Sequence, residues 1–351
     1  MVGVDVSASS IKLVALSRTR GGDCAVAHAA IEPLQPGWVV DGVVDRFDEV
    51  ASALRRAVQR SGSRARQAAL ALPASAVITR RVVLPAGLSA LELEQQVEIE
   101  AEQYIPFARE EVSLDFCPVG APDPMTGSQE VLIAAARRER VDDCAGLAEA
   151  AGLKAVAVEV RPHATQRAAR RLIDRLPVEP TTTAASGGRV VALFEVGAAT
   201  TRLQVLRGGE LLYARDQSFG GEQLTERLMR QYGFSRDEAE TTKCEGALPA
   251  DAGQTVLPGF NHDGAQEVAR ALYFFFSSTP FNRVDQILLA GGSASVPGLA
   301  EAVAESTAFT CRRLDPFEGM ALGPGVREAR LRQQAPAYLA ACGLALHQGG
   351  R

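Results

Sequence analysis

The chain has 351 residues, a formal net charge of −5 and 46% hydrophobic residues, an ordinary globular composition long enough for two or three domains with a cleft between them. It lacks the basic footprint of a nucleic-acid binder, and no apolar run reaches the roughly 18 residues needed to cross a bilayer. The six cysteines and four histidines are dispersed, without the C-x-x-C pairs or H-E-x-x-H spacing of a disulfide scaffold or metal site, so reduced cytoplasmic thiols are the simplest reading.

In chain order, Val2–Leu16 (VGVDVSASSIKLVAL) predicts a strand, a turn of small and hydroxyl residues, and a returning strand. No charged-then-apolar leader precedes it. Residues 1–75 alternate strands with a helix around Phe47–Arg60, and Pro73 closes the segment. Val77–Leu84 reads as a strand. Ser89 and Glu92 form a capping box that opens a helix running to about Tyr104. Its Leu93, Val97, Ala101 and Tyr104 make an apolar stripe beside five glutamates, and Tyr104-Ile105-Pro106-Phe107 ends it. Strands near Glu111–Pro118 and Glu130–Ala136 and a helix over Arg140–Ala151 complete a small domain, 76–152, inserted into the first half. Tyr104, Ile105 and Phe107 either pack into its core or form an apolar groove for a partner peptide. Val156–Val160 is a strand, a helix follows from Pro162, and Pro177–Arg189 is a linker between the halves.

The second half opens with an echo. Val191–Leu206 (VALFEVGAATTRLQVL) matches the first hairpin at an offset of 190 residues: Asp5 falls on Glu195, Ser7 on Gly197, Ala8 on Ala198, Ser10 on Thr200 and Lys12 on Arg202. Gly220-Gly221 then precedes a helix over Glu222–Tyr232, and a second capping box, Ser235 to Glu238, opens a helix that presents Glu240 and Lys243 on one face. Val284–Ala290 (VDQILLA) reads as a buried strand running into Gly291-Gly292-Ser293, with Pro297 near the first turn of a helix carrying Leu299 and Val303.

The repeated unit suits a polyphosphate. Small residues let backbone approach closely, successive turn N–H groups and hydroxyls surround phosphate oxygens, and a strand-end carboxylate can hold Mg²⁺ through water. Each hairpin alone reads as an ordinary turn stabilised by Ser and Thr; the near-half-length repeat is what points to two like-folded halves whose turns meet. Lysine usage points the same way. Only Lys12, Lys154 and Lys243 occur among 37 basic residues, none is followed by Ser or Thr as a P-loop requires, and two lie in the expected site, where a compact ammonium has a use that arginine lacks.

The two hairpins, FGGEQLTERLMRQYGFSRDEAETTK, VDQILLAGGSASVPGL, RLDPFEGMAL, APAYLAACGLAL and the insert's IEAEQYIPF together resemble the PilM family of type IV pilus assembly proteins, actin-like relatives of the division protein FtsA. The resemblance spans nearly the whole chain. It implies an α/β, actin-like (ribonuclease H-like) fold of two lobes. The first lobe's nucleotide-facing subdomain would comprise 1–75, about 153–185 and a C-terminal helix 334–351, with 76–152 inserted. The second lobe would comprise 189–219 and 284–333, with an outer subdomain 220–283. It further implies ATP with Mg²⁺ in the cleft. Asp5, Ser7, Ser9, Ser10 and Lys12 would form the first phosphate loop, and Glu195, Gly197, Ala198, Thr200 and Thr201 the second. Glu240 and Lys243, with Gly221, would lie on the ribose and adenine side, and Gly291, Gly292 and Ser293 would form the adenosine motif. Asp5 and Glu195 would hold Mg²⁺ through water.

The implied partner is the cytoplasmic N-terminal tail of PilN, in a groove at Tyr104, Ile105 and Phe107. Other inner-membrane platform and motor proteins, and a homo-oligomeric ring beneath the inner membrane, complete the expectation. Two features depart from the family: Glu195 replaces the usual Asp, which makes hydrolysis slow or absent, and the first strand begins at Val2 without the family's short leader. The alternatives are a small-molecule kinase with Glu159 as its base, an FtsA-like division scaffold, and a platform that has lost its nucleotide.

Overall fold

The computed structural model describes residues 1–19, 21–175 and 188–347; all but the last two residues of the predicted linker lie outside them. Strands β1 (Val2–Val6), β2 (Ser10–Arg18) and β3 (Cys24–Pro33) form an antiparallel meander. A short ribbon, β4 (Val39–Val40) and β5 (Val43–Val44), leads to helix α1 (Phe47–Ser61), which ends at Gly62 in the left-handed region. Strand β6 (Gln67–Leu72) returns parallel to β1.

The insert follows as β7 (Val77–Pro85), α2 (Ala90–Glu102), β8 (Val112–Asp123) and β9 (Ser128–Arg137), a sheet ordered β7-β9-β8 under one helix. The Ser89–Glu92 capping box is present, and Val82, Leu84, Val97, Ala101, Val131 and Ile133 form a small core of its own. Helix α3 (Arg138–Ala150), which sequence continuity groups with the insert, instead gives Leu147 and Ala148 to the first-lobe core with Val50, Leu54 and Leu70. Its apolar residues meet a larger hydrophobic surface there than the three-stranded sheet offers.

Strand β10 (Lys154–Val160) adds parallel to β6, and helix α4 (Arg161–Ile173) follows at once. The second lobe repeats the opening with β11 (Val190–Val196), β12 (Thr201–Arg207) and β13 (Glu210–Gln217). Helices α5 (Glu222–Tyr232), α6 (Arg236–Glu245), α7 (Ala252–Thr255) and α8 (Leu257–Ser278) come next, then β14 (Gln286–Ala290), parallel to β11. The chain continues through α9 (Leu299–Thr307), β15 (Cys311–Arg313), β16 (Ala321–Leu322), α10 (Glu328–Gln334) and α11 (Leu339–Ala345). The large sheets are ordered β10-β6-β1-β2-β3-β16 and β13-β12-β11-β14-β15. Strand β16, within the stretch expected in the second lobe, pairs with β3 of the first sheet.

Alternation along β11 shows how the lobes join. Phe194 and Val196 face the core beneath α5, α8 and α9. Val191 and Leu193 point the other way, into a layer shared with Val14 and Val26 of the first sheet. Helices α4 and α11 fill that layer with Ala168, Ala169, Leu172, Leu339 and Cys342. They touch at backbone distance: a Cβ on Gly343 would lie 1.8 Å from the Ala164 carbonyl oxygen, and one on Gly3 2.1 Å from that of Ala341. Among the described residues no helix is long and apolar enough to cross a membrane.

Because the atoms facing Gly343 are the backbone of Ala164, they cannot swing aside. Gly343→Ala is expected to destabilise the chain by about 3 kcal/mol or more, measured by chemical denaturation; a loss under about 1 kcal/mol would show that α4 and α11 separate freely.

Candidate functional site

The two hairpins are structural copies as well as sequence copies. In the first, Asp5 lies opposite Lys12 across the strands and Ser7 N–H donates to the Ser10 carbonyl at 3.1 Å. In the second, Glu195 lies opposite Arg202 and Gly197 N–H donates to the Thr200 carbonyl at 2.9 Å. Each first strand also takes a parallel neighbour on its other side, β6 for β1 and β14 for β11. The turns stay open to solvent at Ser9 and Thr200 while the carboxylates beneath them are buried, Asp5 at 1% and Glu195 at 5% exposure.

The hairpins meet through Arg161, the first residue of α4. Its Nε donates to Asp5 Oδ1 at 2.9 Å, and its Nη2 lies 3.2 Å from Glu195 Oε2. One guanidinium therefore ties a carboxylate from each lobe. Around it, Gln204 Nε2 donates to Glu195 Oε1 at 3.3 Å and to Thr165 Oγ1 at 3.0 Å, and Gln166 donates to Gln204 Oε1 at 2.8 Å. Lys12 Nζ donates to Ser7 Oγ at 2.5 Å, beneath the first turn.

These groups shape each other's charge. Burial alone would raise the Asp5 carboxyl, but Arg161 and Lys12 outweigh it and hold the group below its ordinary range. Burial draws Arg161 down, and the two carboxylates with their hydrogen bonds more than reverse that, leaving it above its usual value. Burial also dominates at Lys12, only partly opposed by Asp5, so its ammonium loses a proton more readily than a free lysine. Lys12 also feels Glu195 and Cys244 of the second lobe.

In the second lobe the turn carbonyls are taken up locally. Gly197 O accepts from Gly221 N–H at 3.0 Å and from Ser293 Oγ at 2.8 Å, and Ala198 O accepts from Glu222 N–H at 2.8 Å. Lys243 Nζ donates to Gly221 O, Thr225 Oγ1 and Glu240 Oε1 at 3.1, 2.7 and 2.6 Å. The glycines are dictated by this closeness: a Cβ on Gly221 would come within 2.3 Å of Ser293 Oγ, and Gly291, at φ 88°, would put one 2.3 Å from Val196 O. Gly197, Ala198, Gly221, Glu240, Lys243, Gly291 and Ser293 thus gather at one place; Gly292 is exposed beside them.

Other candidates stand elsewhere. Thr201 is buried, its hydroxyl committed to the Phe219 carbonyl at 2.8 Å. Glu159 accepts a bidentate pair from Arg167 at 3.0 and 2.8 Å and also contacts His347, which engages both of its oxygens in structural ion pairs. The Asp5–Glu195 pair does not fit a shared Mg²⁺, because the Arg161 guanidinium stands between the carboxylates; of their four oxygens, Asp5 Oδ2 alone has no partner among the described residues. On the first lobe, Ile105 and Phe107 line a cavity of about 370 Å³ with Val43, Val77, Ile78 and Val112. Tyr104 is outside that lining, exposed beneath Arg80 at 5.1 Å from its ring.

Arg161, Gln204 and Thr225 escaped sequence reasoning. Arg161 did leave a signal: a cation at the first position of a helix opposes the helix dipole, so an arginine between a strand and Pro162 gains from carboxylates supplied by other elements.

The family described as type IV pilus assembly protein PilM matches residues 3–349. Among solved structures, the chain resembles a PilM-PilN type IV pilus biogenesis complex at 28% identity and a TM-score of 0.74, covering 100% of this chain and 98% of that one. It also resembles the ethanolamine utilization protein EutJ from Carboxydothermus hydrogenoformans at 19% identity and a TM-score of 0.57, covering 99% and 89%, a likeness of fold. The fold is actin-like.

Removing the guanidinium tests the bridge. Arg161→Met leaves two buried carboxylates short of a cation and should cost about 3–5 kcal/mol near pH 7. In the native chain the lowered Asp5 pKa stabilises above its ordinary value and that stability is lost on acidification; in the variant the carboxyl pKa rises, so protonation relieves it. The gap between the two proteins should therefore narrow from about pH 7 toward about pH 4 in denaturation experiments. A gap independent of pH would reject the bridge.

Proposed function

The chain belongs to the type IV pilus assembly protein PilM family, and on that premise we propose that it is an actin-like scaffold of the pilus assembly machine that holds ATP between its lobes and the N-terminal tail of a PilN protein on its first lobe. The observation that carries the partner half is the cavity at Ile105 and Phe107. Apolar side chains from β5, β7, β8 and the segment that follows α2 converge on it, and Arg137 and Arg140 also line it. Arg137 lies over the Phe107 ring at 4.2 Å, which fixes one wall. A concave apolar surface between two subdomains suits a short amphipathic segment.

The nucleotide half rests on the paired turns. Ser7, Ser9 and Ser10 with Lys12 on one side, and Gly197, Ala198 and Thr200 on the other, supply small residues, hydroxyls and an ammonium for a triphosphate. The Lys243–Glu240–Thr225 cluster beside Gly221 and Ser293 would receive the nucleoside. Ligand contacts to both lobes would favour one relative arrangement of them, and the partner cavity adjoins one of those lobes. This role needs no turnover. The kinase reading loses its proton acceptor, since Glu159 is held by Arg167 and His347. Attachment beneath the inner membrane, further platform and motor proteins, and assembly into a ring belong to the same reading.

Two measurements check it. ATP at about one hundred times its Kd should stabilise the protein by about 2.7 kcal/mol, and Lys12→Ala should weaken ATP affinity about tenfold; no stabilisation by ATP would reject the cleft assignment. Ile105→Asp should weaken a labelled PilN N-terminal peptide at least about tenfold in fluorescence anisotropy, with the melting temperature read alongside because Ile105 also packs against the insert's core; undiminished binding by the folded variant would move the partner elsewhere.

A further inference from the structure

We propose that the cleft takes its polyphosphate ligand without needing a divalent cation, the Arg161 guanidinium serving as the fixed positive charge between the two hairpins. The inference rests on the nucleotide reading above and names a property of the same site.

Asp5 Oδ1 and Glu195 Oε2 are bonded to Arg161, and Glu195 Oε1 accepts from Gln204. Among the described residues only Asp5 Oδ2 is left without a partner. Mg²⁺ asks for six oxygens at about 2.0–2.1 Å in near-octahedral array. A single carboxylate oxygen beside a guanidinium is a poor start, because Arg161 and Lys12 together already offset the two carboxylates and repel a further cation. An ion seated on both carboxylates would have to expel Arg161 from a bridge that holds it above its ordinary pKa. Among the described residues no group of three or more His, Cys, Asp and Glu converges as a metal site.

The charges already balance without an ion: Asp5 and Glu195 against Arg161 and Lys12. The guanidinium is also presented for use. Its side chain is 25% exposed against 1% for Asp5, and its Nη1 makes no hydrogen bond among the described residues, so the two carboxylates hold it from behind while free N–H groups remain. A guanidinium pinned at one edge retains the fork that matches phosphate oxygens. Its location at the start of α4, against the helix dipole, means that the cation is held by the carboxylates rather than by its own element.

Calorimetric titration of ATP into the full chain, once with Mg²⁺ and once with EDTA, decides the matter. The wild type should bind in both, with Kd values differing by less than about tenfold. Arg161→Gln should lose at least about tenfold in EDTA and recover most of that with Mg²⁺, the ion now finding the space between the carboxylates. A wild-type loss of tenfold or more in EDTA overturns the inference and leaves the nucleotide reading standing. Absence of binding in both buffers overturns both. An Arg161→Gln protein that binds as well as wild type in EDTA removes Arg161 from the role, and if that variant does not fold the wild-type pair of titrations still settles the question.

Discussion

A buried carboxylate at the end of each central hairpin needs a partner, and the molecule gives both the same one. Asp5 and Glu195 lie two or more residues below solvent-open turns and are themselves buried, so water does not satisfy them. Arg161 resolves this from the side, and its position fixes much else. It places the start of α4 between the two hairpins and aligns Thr165 and Gln166 with Gln204. Breaking such a group is far costlier than the net worth of any one of its bonds, because what remains is an uncompensated buried charge.

The same helix carries the apolar join. Beyond its polar first turns, α4 presents Ala168, Ala169 and Leu172 to a layer that both sheets share with α11. Small residues set the spacing: Gly343 and Gly3 admit backbone where any side chain would collide. The lobes are therefore continuous at their base, by packing and by the β16–β3 pairing, and open toward the turns. A ligand bridging the turns would act on a structure hinged by its own core.

The insert is built differently. Its core is a few residues under one helix, and its accompanying helix α3 belongs energetically to the first lobe. That leaves a seam between the three-stranded sheet and the β4–β5 ribbon, and the seam is the cavity at Ile105 and Phe107. An apolar groove in a scaffold protein follows from a small domain that cannot bury all its hydrophobic surface against itself.

Local chemistry was legible in the amino-acid order. Strand periodicity, both capping boxes, the glycine pairs and the hairpin repeat depend on neighbours within a few residues, and the structure places Asp5 opposite Lys12 and Glu195 opposite Arg202 in matching register. Tertiary structure alone decided the ionic partners. Asp5 and Arg161 are 156 residues apart in the chain, Glu159 pairs one helical stretch along rather than facing the cleft, and Thr201, one position from an open turn, is buried by its hydroxyl's bond to Phe219. Periodicity tells which face of an element is apolar. Which charge a buried carboxylate meets depends on where two lobes, folded from distant segments, bring their ends together.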